Sequence, residues 1–327
     1  MEIALQLVYL YFTAPKKNNR AFEDWKLNAS SSYALHGING KDFKTKIKSV
    51  LKDSLFIPKG SKLLEGVSKT DMERALTIYR EIYGSPEDFT FIFTGDFPED
   101  KVLSLCRKYL GNLPVSQNLS KCQKPIISKQ HTLAKPCLIT IPSTAYMKEV
   151  KVQLVYTSKL DAKNFDWKEE VRSRLLQQLM KFLVSQKMRF NSNEGGTYYI
   201  GVGVNPEKPR LFNEFFFRFS CSPEEVDRLI KETKQFIVFF RSRTVGEEFL
   251  EEYIKSNILR LEKEKSSRKY ISDKIYHYYK FGRPWHSIDE EQEYIKSISP
   301  LDIRNMAQKL LKEEPFQFKM ISSKALQ

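Results

Sequence analysis

Three stretches of this sequence predict an α+β fold, an antiparallel sheet with helices packed on it. Residues 195–221, GGTYYIGVGVNPEKPRLFNEFFFRFSC, contain two β-rich runs, Thr197 to Val204 and Phe212 to Phe219. Asn205-Pro206-Glu207-Lys208-Pro209 between them makes an antiparallel hairpin with a long loop. Val150, Val152, Leu154 and Tyr156 alternate strictly, as in a strand with one buried face. Val171, Leu175, Leu179 and Leu183 then run down one helical stripe between about Trp167 and Arg189. In the second run of the hairpin Phe215, Phe217 and Phe219 share one face, while Glu214, Phe216 and Arg218 share the other. The first face is core. The pattern leaves open what the second face meets.

In chain order, MEIALQLVYLYF opens a helix that is apolar nearly all round, as in a buried helix. A chain opening this way is expected to have its beginning elsewhere. After the break at TAPKKNN, Arg20 to Ala34 form a second helix, and Phe43, Ile47, Val50, Leu51 and Leu55 give helical spacing in residues 41–55. Thr70-Asp71-Met72-Glu73 reads as a capping box for a helix with Met72, Ala75, Leu76, Tyr79, Ile82 and Tyr83 as its stripe, ended by Gly84. Phe89 to Thr94 reads as a strand apolar enough to be buried on both faces. Pro98 suits a first helical position, and Val102, Leu103, Leu105, Cys106 and Tyr109 pack the helix that follows. Residues 115–135 are polar and read as a linker.

From Pro136 a second unit begins, with strands at Cys137–Ile141 and Val150–Tyr156, the long helix and the hairpin. Ser222-Pro223-Glu224-Glu225 and Ser299-Pro300-Leu301-Asp302 each signal a helix start, and helices carrying Leu250 to Leu261 and Ile271 to Tyr279 lie between them. Phe316 to Met320 closes as a strand. The predicted order is β-β-α-β-β-α-α-α-α-β. This gives residues 1–114 as the back half of a domain, 115–135 as a linker and 136–327 as a complete domain of the same kind.

Composition narrows the function classes. The 327 residues suffice for about two domains, and 41% hydrophobic with 29% charged residues is ordinary for a globular protein. No run approaches a membrane span. The N-terminus lacks a basic region and a small-residue cleavage site, so a soluble chain without a signal peptide is expected, with its compartment unspecified. The net charge of +14 raises nucleic acid as a partner. The lysines are dispersed, however, and no nucleic-acid motif is present, so solvated helix faces explain the charge more simply. Cys106, Cys122, Cys137 and Cys221 show no C-x-x-C spacing, which argues for reduced thiols. His277 amid Tyr276, Tyr278 and Tyr279 reads as a helix-face residue rather than a ligand, and the acidic run at 289–293 as a solvated turn.

Four motifs in order carry a family resemblance. LQLVYLYFTAP, RALTIYREIYGSPEDFTFIFTGDF and LCRKYLGNLP resemble parts of the third domain of pitrilysin/insulinase-type (inverzincin) zinc metallopeptidases. GGTYYIGVGVN at residues 195–205 resembles a hairpin of the fourth. The resemblance covers essentially the whole chain. It implies mitochondrial-processing-peptidase-like domains, four per protein, arranged as two halves around an unfolded peptide. Zinc binds in the first domain on an inverted H-x-x-E-H helix. That motif is absent here, since His36, His131, His277 and His286 are scattered.

The resemblance therefore implies a non-catalytic C-terminal half, with no zinc in this chain and no activity from it alone. Its expected partners are an N-terminal catalytic half, in the same or a separate chain, and extended peptide. The family's hairpin tyrosine corresponds to Tyr198, expected to line the substrate chamber. The family's arginine seven residues earlier is replaced by Asn191, so Arg189, two residues further back, is the candidate to pair with it. The same residues also admit bland roles: a half-buried strand tyrosine and a helix C-terminal cation. A truncated first domain also predicts self-association through uncovered apolar faces. The alternatives are a stand-alone interaction subunit and, more remotely, a basic nucleic-acid-binding protein.

Overall fold

The structure, a computed structural model, describes residues 1–38, Phe43, Ile47, Leu51, 60–114, 137–143, 148–159, 166–190, 199–204, 212–312 and 314–322. It divides into two compact units, one of Met1–Asn39 and Phe56–Lys129, the other of Gly40–Leu55 and Gln130–Gln327.

The first unit is helical: α1 (Glu2–Thr13), α2 (Asn19–Ile38), α3 (Gly60–Ser68), α4 (Met72–Tyr83) and α5 (Glu99–Tyr109). The expected burial of α1 does not occur: Leu5 is its buried residue, while Ile3 is 80% exposed and Leu7 and Leu10 about half exposed. An all-round apolar sequence selects no face, so tertiary packing decides how much is covered. The Phe12 ring, at the end of α1, packs edge-on against Tyr83 and Phe89, at 5.1 and 4.9 Å. The cap of α4 is Asp71 rather than Thr70, its carboxylate accepting from the Arg74 N–H at 2.7 Å. Pro98 likewise sits one residue before α5, at its N-cap. The expected strand at Phe89–Thr94 forms no ladder among the described residues, and Phe93 is 37% exposed. β-propensity alone makes no strand without a neighbour to pair with. The helix α3 was not legible because Gly60 and Gly66 weaken its propensity.

The second unit contains β1 (Leu138–Ser143), β2 (Val150–Lys159), α6 (Trp167–Phe190), β3 (Tyr199–Val204) and β4 (Phe212–Cys221). It continues with α7 (Val226–Ser242), α8 (Glu247–Glu264), α9 (Arg268–Phe281), α10 (Ile288–Lys296), α11 (Pro300–Leu310) and β5 (Phe316–Ser322). The strands form one sheet in the order β1-β5-β2-β4-β3. It is mixed rather than purely antiparallel: β1 runs parallel to β5, Ile139 opposite Phe318. The chain's last strand fits between its first two, which run antiparallel, so it must lie parallel to one of them. Ser222 makes no side-chain cap, whereas Ser299 and Asp302 form the expected capping box.

Both sheet faces are covered. Val152, Leu154, Phe215, Phe217 and Phe219 face α6, α7 and α11 through Leu176, Leu179, Leu229 and Met306 in the main core. On the opposite face Phe43, Ile47 and Leu51 bury against Ile141, Val155, Phe316, Phe318 and Met320, with Phe216 packed beside them. That face, left open by the alternation in β4, is thus met by Phe43, Ile47 and Leu51, which lie within the stretch the sequence reading groups with the first unit.

Candidate functional site

Helix α6 and strand β3 frame the position that the sequence marks. Arg189 lies in the last turn of α6, but its side chain is outside the described residues, as are Tyr198, Gly195 and Gly196. The structure therefore gives no separation for Arg189 and Tyr198. It does place β3, which starts one residue after Tyr198, at the edge of the sheet. Gln177 of α6 donates from Nε2 to the Val202 carbonyl at 2.8 Å, tying the helix to this edge strand. Gly203 is opposite Phe216, and a Cβ there would sit 2.2 Å from the ring. Glycine lets the ring lie against the strand backbone.

Cys221 ends β4 in the core, fully buried, and burial raises its pKa to about 11. It is a packing thiol with no nucleophilic character.

A second site, in the helical layer, was not anticipated. A cavity of about 210 Å³ is lined by residues of α6, α9 and α10 and by the Pro284-Trp285-His286 connection. At its floor lies Glu291, 3% exposed and helical, not part of a solvated turn. Arg174 Nη2 is 2.5 Å from Glu291 Oε1, and His286 Nε2 is 3.0 Å from Oε2. Lys274 Nζ is 3.6 Å from the same Oε2. The Tyr270 hydroxyl donates to it at 3.3 Å. Burial opposes ionisation of Glu291, but the His286 hydrogen bond and the charges of Arg174 and Lys274 outweigh it and hold its pKa at about 2. His286 stacks on Trp167, ring centroids 4.2 Å apart. His277 lines the same cavity from α9. The sequence signal missed was Ser287-x-x-Glu290, a capping box that starts α10 where an acidic turn was expected.

Zinc does not fit this chain's described residues: no group of three or more His, Cys, Asp or Glu among them could hold a metal. Glu291, the acid at the floor of the cavity, is committed to cations. No described helix is long and apolar enough to cross a membrane.

Comparisons with known proteins agree with the fold. The chain is 24% identical over 185 residues to the "Probable zinc protease PqqL" of Escherichia coli, an alignment covering 55% of this chain and 18% of that protein. That alignment takes in less than a fifth of the relative's length. The crystal structure of the same periplasmic protease superposes with a TM-score of 0.80 at 15% identity, covering 98% of this chain and 35% of that one. A peptidase M16 inactive domain from Pseudomonas fluorescens gives 0.73 at 12% identity, covering 98% and 75%. Pitrilysin gives 0.68 at 12%, covering 98% and 33%. The family described as "Peptidase M16 inactive domain" matches residues 69–257. That match takes in more than half of the chain, which therefore belongs to the peptidase M16 inactive-domain family.

Proposed function

We propose that this chain acts as the non-catalytic C-terminal half of a pitrilysin-like zinc metallopeptidase, forming a wall of the substrate chamber and binding extended peptide. The observation that carries the reading is the position of β3. The strand that Tyr198 leads into is the last in the described sheet, the position at which an extended peptide can add as a further strand. Side-chain pockets on either side of such a strand supply selectivity, and main-chain hydrogen bonds supply affinity. Tyr198 and Arg189 are the residues we assign to the peptide. Zinc and the water it activates belong in this reading to the catalytic half, which supplies the hydrolytic chemistry.

The test is cleavage of an unstructured peptide by the purified chain, alone and mixed with an H-x-x-E-H half. The expected outcome is no cleavage alone, cleavage on mixing, and loss of that activity in Tyr198→Phe. Zinc-dependent cleavage by the chain alone overturns the reading. Binding to the partner half with no cleavage, for both the unmodified chain and the Tyr198→Phe variant, instead supports an interaction subunit.

A further inference from the structure

Strand β1 is the outer strand of the described sheet on the side away from β3. Its ladder fixes which of its backbone groups face outward. The Gln317 N–H donates to the Cys137 carbonyl at 2.9 Å, and Leu138 lies opposite Gln317 in the parallel pairing with β5. In such a pair the N–H and C=O of one residue point to the same side, and successive residues alternate. Cys137, Ile139 and Ile141 therefore bond to β5, while Leu138, Thr140 and Pro142 turn their backbone groups outward. Among the described residues these outward groups have no backbone partner. Nor are the side chains covered: Leu138 is 58% exposed, and Thr140 and Pro142 are exposed beside it.

The strand, LITIPS, has no charged residue. Edge strands are commonly guarded by charge, a bulge or a covering loop. Here the guard is Pro142 alone, and its missing N–H falls on the outward side, where it costs the β5 ladder nothing. The outward donors are the N–H groups of Leu138 and Thr140, and the outward acceptors are the carbonyls of Leu138, Thr140 and Pro142. That set is self-complementary. With Thr140 facing Thr140 of a second, antiparallel copy, the two residues exchange both of their hydrogen bonds. Each Leu138 N–H then donates to the Pro142 carbonyl of the other copy. Every outward donor is used, and the one that proline lacks is not needed. The side chains match in the same register: Thr140 opposes Thr140, Leu138 opposes Pro142, and Ile139 opposes Ile141, with no like charges face to face.

We propose that two copies of this chain join edge to edge along β1, antiparallel about a two-fold axis at Thr140, so that one sheet continues across the pair. A two-fold contact presents the same patch from both sides, as this strand does. The net charge of +14 on each copy opposes their approach, so the contact forms best where salt screens it. It involves neither β3 nor the residues assigned to the peptide.

Size exclusion with light scattering, run on the full chain at high salt over a range of protein concentrations, tests it. Twice the monomer mass is expected at high concentration. Thr140→Lys, an exposed substitution that sets like charges face to face, should return the chain to monomer with an unchanged melting temperature. Thr140→Pro removes an outward donor and should also give monomer. Mild oxidation reads the register. The substituted residues in Thr140→Cys face each other at a Cα separation of about 5.5 Å, within disulfide reach, and should link the dimer. Leu138→Cys faces Pro142 of the other copy and should link no more than the unmodified chain. A monomer at every concentration overturns the proposal. So does a dimer that survives both Thr140→Lys and Thr140→Pro, which places self-association on the apolar helix faces of the first unit instead. Equal linking by Leu138→Cys overturns the register at Thr140. A monomer that binds an extended peptide, with binding lost in Thr140→Lys, gives this edge to a peptide and overturns the second copy as its occupant.

Discussion

Arg174 of α6 and Glu291 of α10, 117 residues apart in sequence, meet at 2.5 Å with the carboxylate almost wholly removed from solvent. The contact joins two helices through charge where their neighbours are joined by apolar packing. A buried pair of this kind gives weak net stabilisation relative to an apolar substitute, yet removing one partner is costly because the other charge is stranded. Glu291→Ala, which leaves Arg174, Lys274 and His286 without their common acceptor, should cost about 3–5 kcal/mol in urea unfolding.

Glu291 should also give the fold a pH dependence. Its folded pKa of about 2 is depressed below the ordinary carboxylate value of about 4.3. The stabilisation is therefore complete above the unfolded pKa and is lost as pH falls towards the folded one. Urea midpoints measured from pH 6 down to pH 2 should fall steadily below about pH 5. The slope should be shallower in Glu291→Gln.

The burial of Phe43, Ile47 and Leu51 on the sheet face opposite the main core predicts a large effect from a segment far upstream of the sheet. Leu51→Ala should destabilise the second unit by about 2–5 kcal/mol, the range for a buried leucine. Hydrogen exchange in β2 and β5, which pack against Leu51, should speed up with it. A change below about 0.5 kcal/mol, the level of a surface substitution, would remove the segment from that face.

Gly203 and Phe216 form a cross-strand pair in which one side gives room to the other. Gly203→Val should destabilise by about 1–3 kcal/mol through overpacking. Phe216→Ala in the same chain should recover part of that loss, so the double-mutant cycle should show coupling.

Thiol reactivity offers a simple check of packing. Cys137 is exposed and Cys221 is buried with its pKa raised to about 11. Native-state alkylation read by peptide mass spectrometry should label Cys137 and spare Cys221, which should react only after denaturation.

Much of the second unit was legible in the sequence. The alternation in β2 and β4 and the stripe of α6 are local periodicities, and the structure places all three elements within a few residues of expectation. The capping box at Ser299 worked because a cap is a contact over three residues. Where reading failed, the deciding partner was distant. Residues 89–94 have strand propensity but no ladder among the described residues, and α1 has apolar residues but only Leu5 buried. The acidic run at 289–293 looks solvated until Arg174 and Lys274 arrive from elsewhere in the chain to join the nearby His286.

By itself, then, the sequence determined the α+β class, the hairpin and the family, since periodicity, turn chemistry and short motifs are written in neighbouring residues. Only the tertiary structure decided that β1 runs parallel to β5, that Phe43, Ile47 and Leu51 pack on the second face of the sheet, and that Glu291 gathers cations in a cavity. Strand order, face coverage and buried charge are set by which distant segments meet, and that depends on the free energy of the whole packed chain.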